Sequence, residues 1–229
     1  MYTYILLDMD DTIFDFQKAQ SLCFRDVLSY YNEEFTAEKY KKYNEINHSL
    51  WRSVENQTMR REEVQRQRFT AFFAEFGRTI LGEEANNIFQ DSLAKQSWLM
   101  PHAAEVCKLL SRNHQLVIVT NGMTNTQYHR VKNSEVSCYF SEIIVSEAVG
   151  VEKPNEEFFR KAFDLLHFYD TRKMLVVGDS LTSDIEGANN AGIDSCWYNP
   201  NKLSPTSDNH ATYTISSLTE LLSIVSEQV

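Results

Sequence analysis

Apolar runs along the 229-residue chain are unevenly spaced. Tyr4-Ile5-Leu6-Leu7 reads as one short buried strand, and the next convincing run, Leu116-Val117-Ile118-Val119, begins more than a hundred residues later. Runs then follow at Ile143-Ile144-Val145, Met174-Leu175-Val176-Val177, Ile193 to Trp197 and Thr212 to Ile215, most of them separated by helical patterns. That alternation predicts a parallel sheet wrapped by helices. The long first interval has helical periodicity instead. Phe16, Ala19, Cys23, Val27 and Tyr30/Tyr31 form one stripe, and Phe69, Phe72, Phe73 and Phe76 form another at i, i+3, i+4, i+7. A crossover between parallel strands needs only about a dozen residues. The surplus therefore predicts a helical domain, 16–95, inserted into a sheet domain built from 1–15 and 96–229. A last helix from about His102 to Ser111 leads into the second strand.

Turn chemistry fits this division. Gly122, Gly150, Gly178, Gly187 and Gly192 all fall in the regular strand–helix half. Thr124-x-x-Gln127 and Ser217-x-x-Glu220 have the spacing of capping boxes that open helices, and Asn199 to His210 reads as a surface loop. The opening apolar run stops at Asp8, too short for a secretory leader, and no stretch approaches the ~18 apolar residues of a membrane span. Cys23, Cys107, Cys138 and Cys196 form no C-x-x-C pair, so reduced thiols in a cytoplasmic protein are expected. The formal charge of −10 argues against nucleic-acid binding, though not against one phosphorylated small molecule. Residues 13–95 hold 12 basic and 13 acidic side chains, so the rest of the chain carries about −9.

Part of that negative charge sits where ligands bind in open α/β sheets, just outside the carboxyl ends of the strands. Strand one ends in Asp8-Met9-Asp10-Asp11-Thr12, strand two in Thr120-Asn121-Gly122, and strand four in Gly178-Asp179-Ser180 with Asp184 following; Val151-Glu152-Lys153-Pro154 follows strand three. Two carboxylates ~4 Å apart repel by roughly 4 kcal/mol at an effective dielectric near 20. Lys153 supplies one positive charge against Asp8, Asp10, Asp179 and Asp184, so either some acids are protonated or a cation joins them. An all-oxygen donor set favours a hard ion, and Mg²⁺ suits a site that also holds phosphate. The chemistry that fits is attack of an aspartate on phosphorus, with a second carboxyl two residues on as general acid and base.

Taken together, Asp8-x-Asp10-x-Thr12, Thr120, Lys153-Pro154 and Gly178-Asp179-Ser180-x-x-x-Asp184 resemble the four motifs of the haloacid dehalogenase superfamily. The insert resembles the cap of its α-helical-cap subgroup. Asp8 through Phe16, Ser146 through Pro154 and Gly178 through Pro200 look like the house-cleaning pyrimidine 5′-nucleotidase branch. Asp11 departs from the many members with Gly there.

This resemblance implies a doubly wound, mainly parallel Rossmann-like α/β sheet with an inserted all-helical cap. It implies Asp8 as nucleophile and Asp10 as general acid/base. Mg²⁺ would be held by the Asp8 carboxylate, the Asp10 carbonyl and Asp179, with Asp184 in support. Phosphate would be bound by Thr120, the Asn121 amide and Lys153. The implied substrate is a small phosphorylated metabolite, a pyrimidine nucleoside monophosphate first. Phosphoglycolate or sugar-phosphate hydrolysis and phosphomutase activity use the same motifs. A receiver-like phosphoaspartate switch is the non-enzyme alternative, but such a domain should be about half this length and lack the insert. The insert is expected to act as a lid, with hinges near Asp15–Phe16 and Ser97–Pro101. Its aromatic residues Trp51, Phe69, Phe72 and Phe73 are read as core rather than as a platform for a base.

Overall fold

A computed structural model describes residues 1–56, 58–205 and 210–226. The described residues divide into two compact units, Met1–Phe16 with Ser97–Val229, and Gln17–Gln96. Helices α1 (Phe16–Tyr30), α2 (Ala37–Glu55), α3 (Arg61–Glu75) and α4 (Gly82–Leu93) make up the second unit, apart from the first residue of α1.

In the first unit six strands form one sheet: β1 (Tyr4–Leu7), β2 (Gln115–Thr120), β3 (Phe140–Val145), β4 (Met174–Gly178), β5 (Asp194–Tyr198) and β6 (Tyr213–Ile215). Their order is β3-β2-β1-β4-β5-β6 and every pairing is parallel. Among the helices, α5 (Ala103–Leu110), α6 (Thr124–Lys132) and α7 (Ser146–Val149) precede α8 (Glu156–Leu166), α9 (Glu186–Asn190) and α10 (Glu220–Ser226). Side chains alternate across each strand, so the sheet builds two cores. Ile5 and Leu7 of β1, with Leu116, Ile118, Leu175 and Val177, pack against Val106 and Leu110 of α5 and Leu221 of α10. Leu6, Val117, Val119 and Val176 face the other way, onto Phe158, Phe159 and Ala162 of α8 and Ala188 of α9. The sheet is doubly wound, and its strand order reverses direction between β1 and β4, the place where such folds open a ligand crevice.

Local chemistry moves some predicted boundaries. Ile193 lies outside β5 because its amide closes the end of α9 on Ala188 O at 3.0 Å. Thr212 precedes β6 because its hydroxyl accepts the Ser195 amide at 3.0 Å. The expected box at Thr124–Gln127 does not form. The Thr124 amide donates instead to the Glu147 carboxylate at 2.7 Å, and the Gln127 side chain turns into the site described below. At Ser217–Glu220 the carboxylate does reach back, accepting the Ser217 amide at 2.8 Å. Of the expected loop Asn199 to His210, residues 206–209 lie outside the described residues; the described remainder has no helix or strand. No helix among the described residues is long and apolar enough to cross a membrane. Cys23, Cys107 and Cys196 are buried, Cys138 is exposed, and none of the four is joined in a disulfide.

The helical unit is organised around aromatic rings. Phe24 stacks on Tyr43 with centroids 4.5 Å apart, Tyr43 on Phe69 at 5.3 Å, and Phe72 meets Phe24 edge-on at 5.0 Å. Phe69, Phe72 and Phe73 are buried in this core, whereas Trp51 is half-buried. The α1 stripe is narrower than its sequence pattern: Ala19, Cys23 and Val27 are buried with Phe24 and Leu28, but Tyr30 is exposed and donates to Glu84 at 3.0 Å. Phe76 lies just past the end of α3, with its ring partly exposed and the Lys39 ammonium 5.7 Å from its centroid.

Candidate active site

The strand reversal sets the positions of the acids. Asp8 is the first residue after β1, and its amide extends the ladder to β4 by donating to Val177 O at 2.8 Å. Asp179 follows β4 directly. Its backbone carbonyl accepts the Trp197 indole N–H at 2.8 Å, and its carboxylate accepts the Thr12 hydroxyl at 3.2 Å. The chain turns sharply past Asp8, with the Ile13 and Phe14 amides both donating to Met9 O at 3.0 and 2.8 Å. Asp11 sits in this turn at φ 58°, a left-handed conformation that suits Gly and is tolerated by Asp. That accounts for the departure at this position. Asp184 lies in a π-helical turn, Leu181–Ile185, just beyond β4. Gly178 makes this approach possible, since a Cβ there would overlap the Asp184 carboxylate.

Three of these carboxylates meet. One oxygen from each of Asp8, Asp179 and Asp184 lies within 4.8 Å of the others. Lys153, 1% exposed, enters the cluster from the segment between α7 and α8. Its ammonium donates to Asp8 Oδ1 at 2.7 Å, Asp184 Oδ1 at 2.6 Å and Val119 O at 2.7 Å. Those three bonds use all three of its protons, so Lys153 meets Asp8 and Asp184 directly and can act on a phosphoryl group through its charge. Asn121 fixes the Lys153 backbone from both sides, with Nδ2 donating to its carbonyl and Oδ1 accepting its amide, each at 2.9 Å. The second oxygen of Asp184 accepts the Ser180 amide at 3.1 Å, so this side chain is held at both ends.

Charge balance leaves the cluster incomplete. Burial pushes the Asp8 carboxyl up to about 8, and repulsion from Asp184 adds to this against the attraction of Lys153. Burial and then the Asp8 charge raise Asp179 well above the usual carboxylate range. Burial alone would lower Lys153, but the attraction of Asp184 and Asp8 outweighs it and holds the ammonium protonated. An all-oxygen donor set whose acids resist ionising together fits a hard divalent cation.

Thr120, the last residue of β2, and Asp10 stand beside this cluster and share one hydrogen-bond network with two residues that sequence reasoning missed. Gln127 and Arg130, one turn apart on α6, both contact the Asp10 carboxylate: Arg130 Nη1 reaches Oδ1 at 2.5 Å and Gln127 Nε2 reaches Oδ2 at 2.8 Å. The same Gln127 nitrogen donates to Thr120 Oγ1 at 3.0 Å. Asp10 lies more than a hundred residues from both in sequence, so no local pattern joins them. The only sequence signal was a Gln at cap spacing, and it pointed elsewhere.

The sequence pattern of the haloacid dehalogenase-like hydrolase family matches residues 5–198. The chain is 36% identical over 224 residues to the HAD-hydrolase YfnB of Bacillus subtilis, covering 98% of this chain and 95% of that protein. A crystal structure of YfnB bound to magnesium superposes with a TM-score of 0.94, covering 98% of each chain. The pyrimidine 5′-nucleotidase PynA of Streptococcus pneumoniae is 32% identical over 232 residues, covering 100% of this chain and 97% of PynA. The pyrimidine 5′-nucleotidase YjjG of Escherichia coli is 30% identical over 220 residues, covering 96% of each. With a family match spanning most of its length and full-length relatives at this identity, the chain belongs to the haloacid dehalogenase-like hydrolase family.

Proposed function

We propose that the protein is a Mg²⁺-dependent phosphate-monoester hydrolase that works through an aspartyl-phosphate on Asp8, with pyrimidine nucleoside 5′-monophosphates as its substrates. The observation that carries this reading is the meeting of Asp8, Asp179 and Asp184, with Lys153 paired to Asp8 and Asp184, where negative charge exceeds positive charge. The Asp8 and Asp179 carboxylates and the Asp10 carbonyl would hold the ion, and Asp184 would support the site through Lys153 and the Ser180 amide. When bound, Mg²⁺ would offset the burial and the Asp184 repulsion that push the Asp8 carboxyl up, and would polarise the phosphoryl oxygens.

The rest of the chemistry belongs to the chain. Lys153 occupies Asp8 Oδ1 and leaves Oδ2 for phosphorus. Oδ2 forms a bond to phosphorus as the ester P–O bond breaks, and Asp10 gives its proton to the departing alcohol. Water then attacks phosphorus, Asp10 takes a proton from that water, and the bond to Asp8 breaks to release inorganic phosphate. The Thr120 hydroxyl and the Asn121 amide bind the phosphoryl oxygens, and Lys153 offsets their charge. Such acid–base assistance is worth about 10²–10⁴ in rate. The full-length similarity to PynA and YjjG supports the nucleotide preference. The helical unit is proposed to be the cap.

A phosphate-release screen tests the substrate class by comparing dUMP, dTMP and UMP with phosphoglycolate, sugar phosphates and purine monophosphates. Preference for the pyrimidine set is expected. A flat or sugar-biased profile would overturn the nucleotidase assignment.

A further inference from the structure

We infer that Gln127 and Arg130 are positioning residues that hold the Asp10 carboxylate and the Thr120 hydroxyl in one rigid unit, so that proton transfer to the leaving group and phosphate binding are set together. This rests on the phosphatase reading above. Both side chains are buried, Gln127 at 1% and Arg130 at 0% exposure, and their spacing of three puts them on one face of α6. Arg130 Nη1 bridges Asp10 Oδ1 and Gln127 Oε1, the latter at 2.9 Å. That contact fixes the Gln127 amide: its oxygen faces the guanidinium, so its nitrogen must face Asp10 Oδ2 and Thr120 Oγ1. Both oxygens of Asp10 are therefore restrained at once.

The consequence for Thr120 follows from counting lone pairs. A hydroxyl oxygen accepts two hydrogen bonds and donates one. Thr120 Oγ1 already accepts from Gln127 Nε2 and from the Gly122 amide at 3.2 Å. With both acceptor positions filled, its proton is aimed away from them, and the hydroxyl is presented as a donor, the form a phosphoryl oxygen needs. The Arg130 guanidinium is also sequestered beside the Phe14 ring, 5.4 Å from its centroid. Burying a guanidinium carries a large desolvation cost, which a role in placing Asp10 explains.

The test separates positioning of an acid from a merely structural ion pair. An alkyl phosphate, such as a nucleoside 5′-monophosphate, has a leaving group that must be protonated; p-nitrophenyl phosphate does not. Leaving-group release is followed in a single turnover with Mg²⁺ for the wild type, Arg130→Met, Arg130→Lys and Gln127→Leu. Arg130→Met should lose about 10²-fold on the alkyl ester, as expected for a misplaced catalytic group, and less than about threefold on the nitrophenyl ester. Arg130→Lys, which can still donate to Asp10, should recover part of the alkyl rate. Gln127→Leu should show the same selective loss together with a rise in KM shared by both esters, because Thr120 loses a donor that aims its hydroxyl. If Arg130→Met fails to fold, the Gln127→Leu comparison decides. Equal losses on the two esters, no loss, or faster turnover would overturn the inference while leaving the phosphatase reading intact. A wild-type protein that cleaves neither ester would defeat that reading and the inference with it.

Discussion

On the proposed mechanism Asp8 carries opposing demands: it is buried, which excludes water, yet would have to be ionised to attack phosphorus. Burial, and then repulsion from Asp184, raise its carboxyl to about 8 against a starting value of 3.8. Below pH about 4 the carboxyl is protonated in both folded and unfolded chains. Between those values the unfolded chain ionises and the folded one does not, so stability present at low pH is lost as pH rises through about 8. Asp179 shifts in the same direction. In EDTA the melting temperature should therefore fall from pH about 5 to about 8.5, and Asp8→Asn should flatten that slope. A wild-type melting temperature that is flat or rising over this range would contradict the assigned burial energetics. Asp8→Asn should also cut kcat by more than ~10³-fold, about 4 kcal/mol of barrier, while circular dichroism stays unchanged. An active variant would remove Asp8 from the nucleophile role. Asp8 and Asp179 could be picked out from sequence because each directly follows a strand-like run, and Lys153 because its Lys-Pro pair stands just before a helix after the third such run. Gln127 and Arg130 could not, because their partner is distant in sequence and their spacing matches an ordinary helix start.

At the scale of elements, the site is made by the join of β4 to the π-helical turn that follows it. Gly178 lets the Asp184 carboxylate lie against the strand backbone, where it meets Lys153 and the Ser180 amide. Gly178→Ala should displace that carboxylate, cost about 1–3 kcal/mol by overpacking, and weaken Mg²⁺ binding in a titration. An unchanged urea midpoint would show that the close approach is not needed. β1 was legible to the residue because its apolar run, half-buried Tyr4 and then buried Ile5, Leu6 and Leu7, stops at a run of acids. The helical stripes were legible in their middles but not at their ends. Tyr30, the last residue of α1, turns its hydroxyl outward to Glu84, and Phe76 lies past the end of α3, where its ring meets Phe72 on one side and stays partly exposed.

For the molecule as a whole, β1 and β2 are paired neighbours, Tyr4 opposite Gln115, although the chain leaves the sheet for more than a hundred residues between them. That detour was visible because strand periodicity disappears and helical periodicity replaces it. No recognition role for the helical unit could be read from the sequence, because its most prominent aromatic residues, Phe69, Phe72 and Phe73, are taken up by its own core. Added Mg²⁺ should raise the melting temperature in proportion to the logarithm of its concentration once above Kd, and more steeply for the wild type than for Asp179→Asn. Equal responses of the two proteins would place the ion elsewhere.

Acid-quenched single turnover with a phosphate-labelled nucleoside monophosphate, followed by peptide mapping, tests the link between converging acids and phosphoryl transfer most directly. Label should appear on the peptide carrying Asp8 when Mg²⁺ is present, accumulate in Asp10→Asn, and vanish in excess EDTA. Phosphate released at full rate in EDTA, or released with Mg²⁺ while no label passes through Asp8 in either protein, would contradict it.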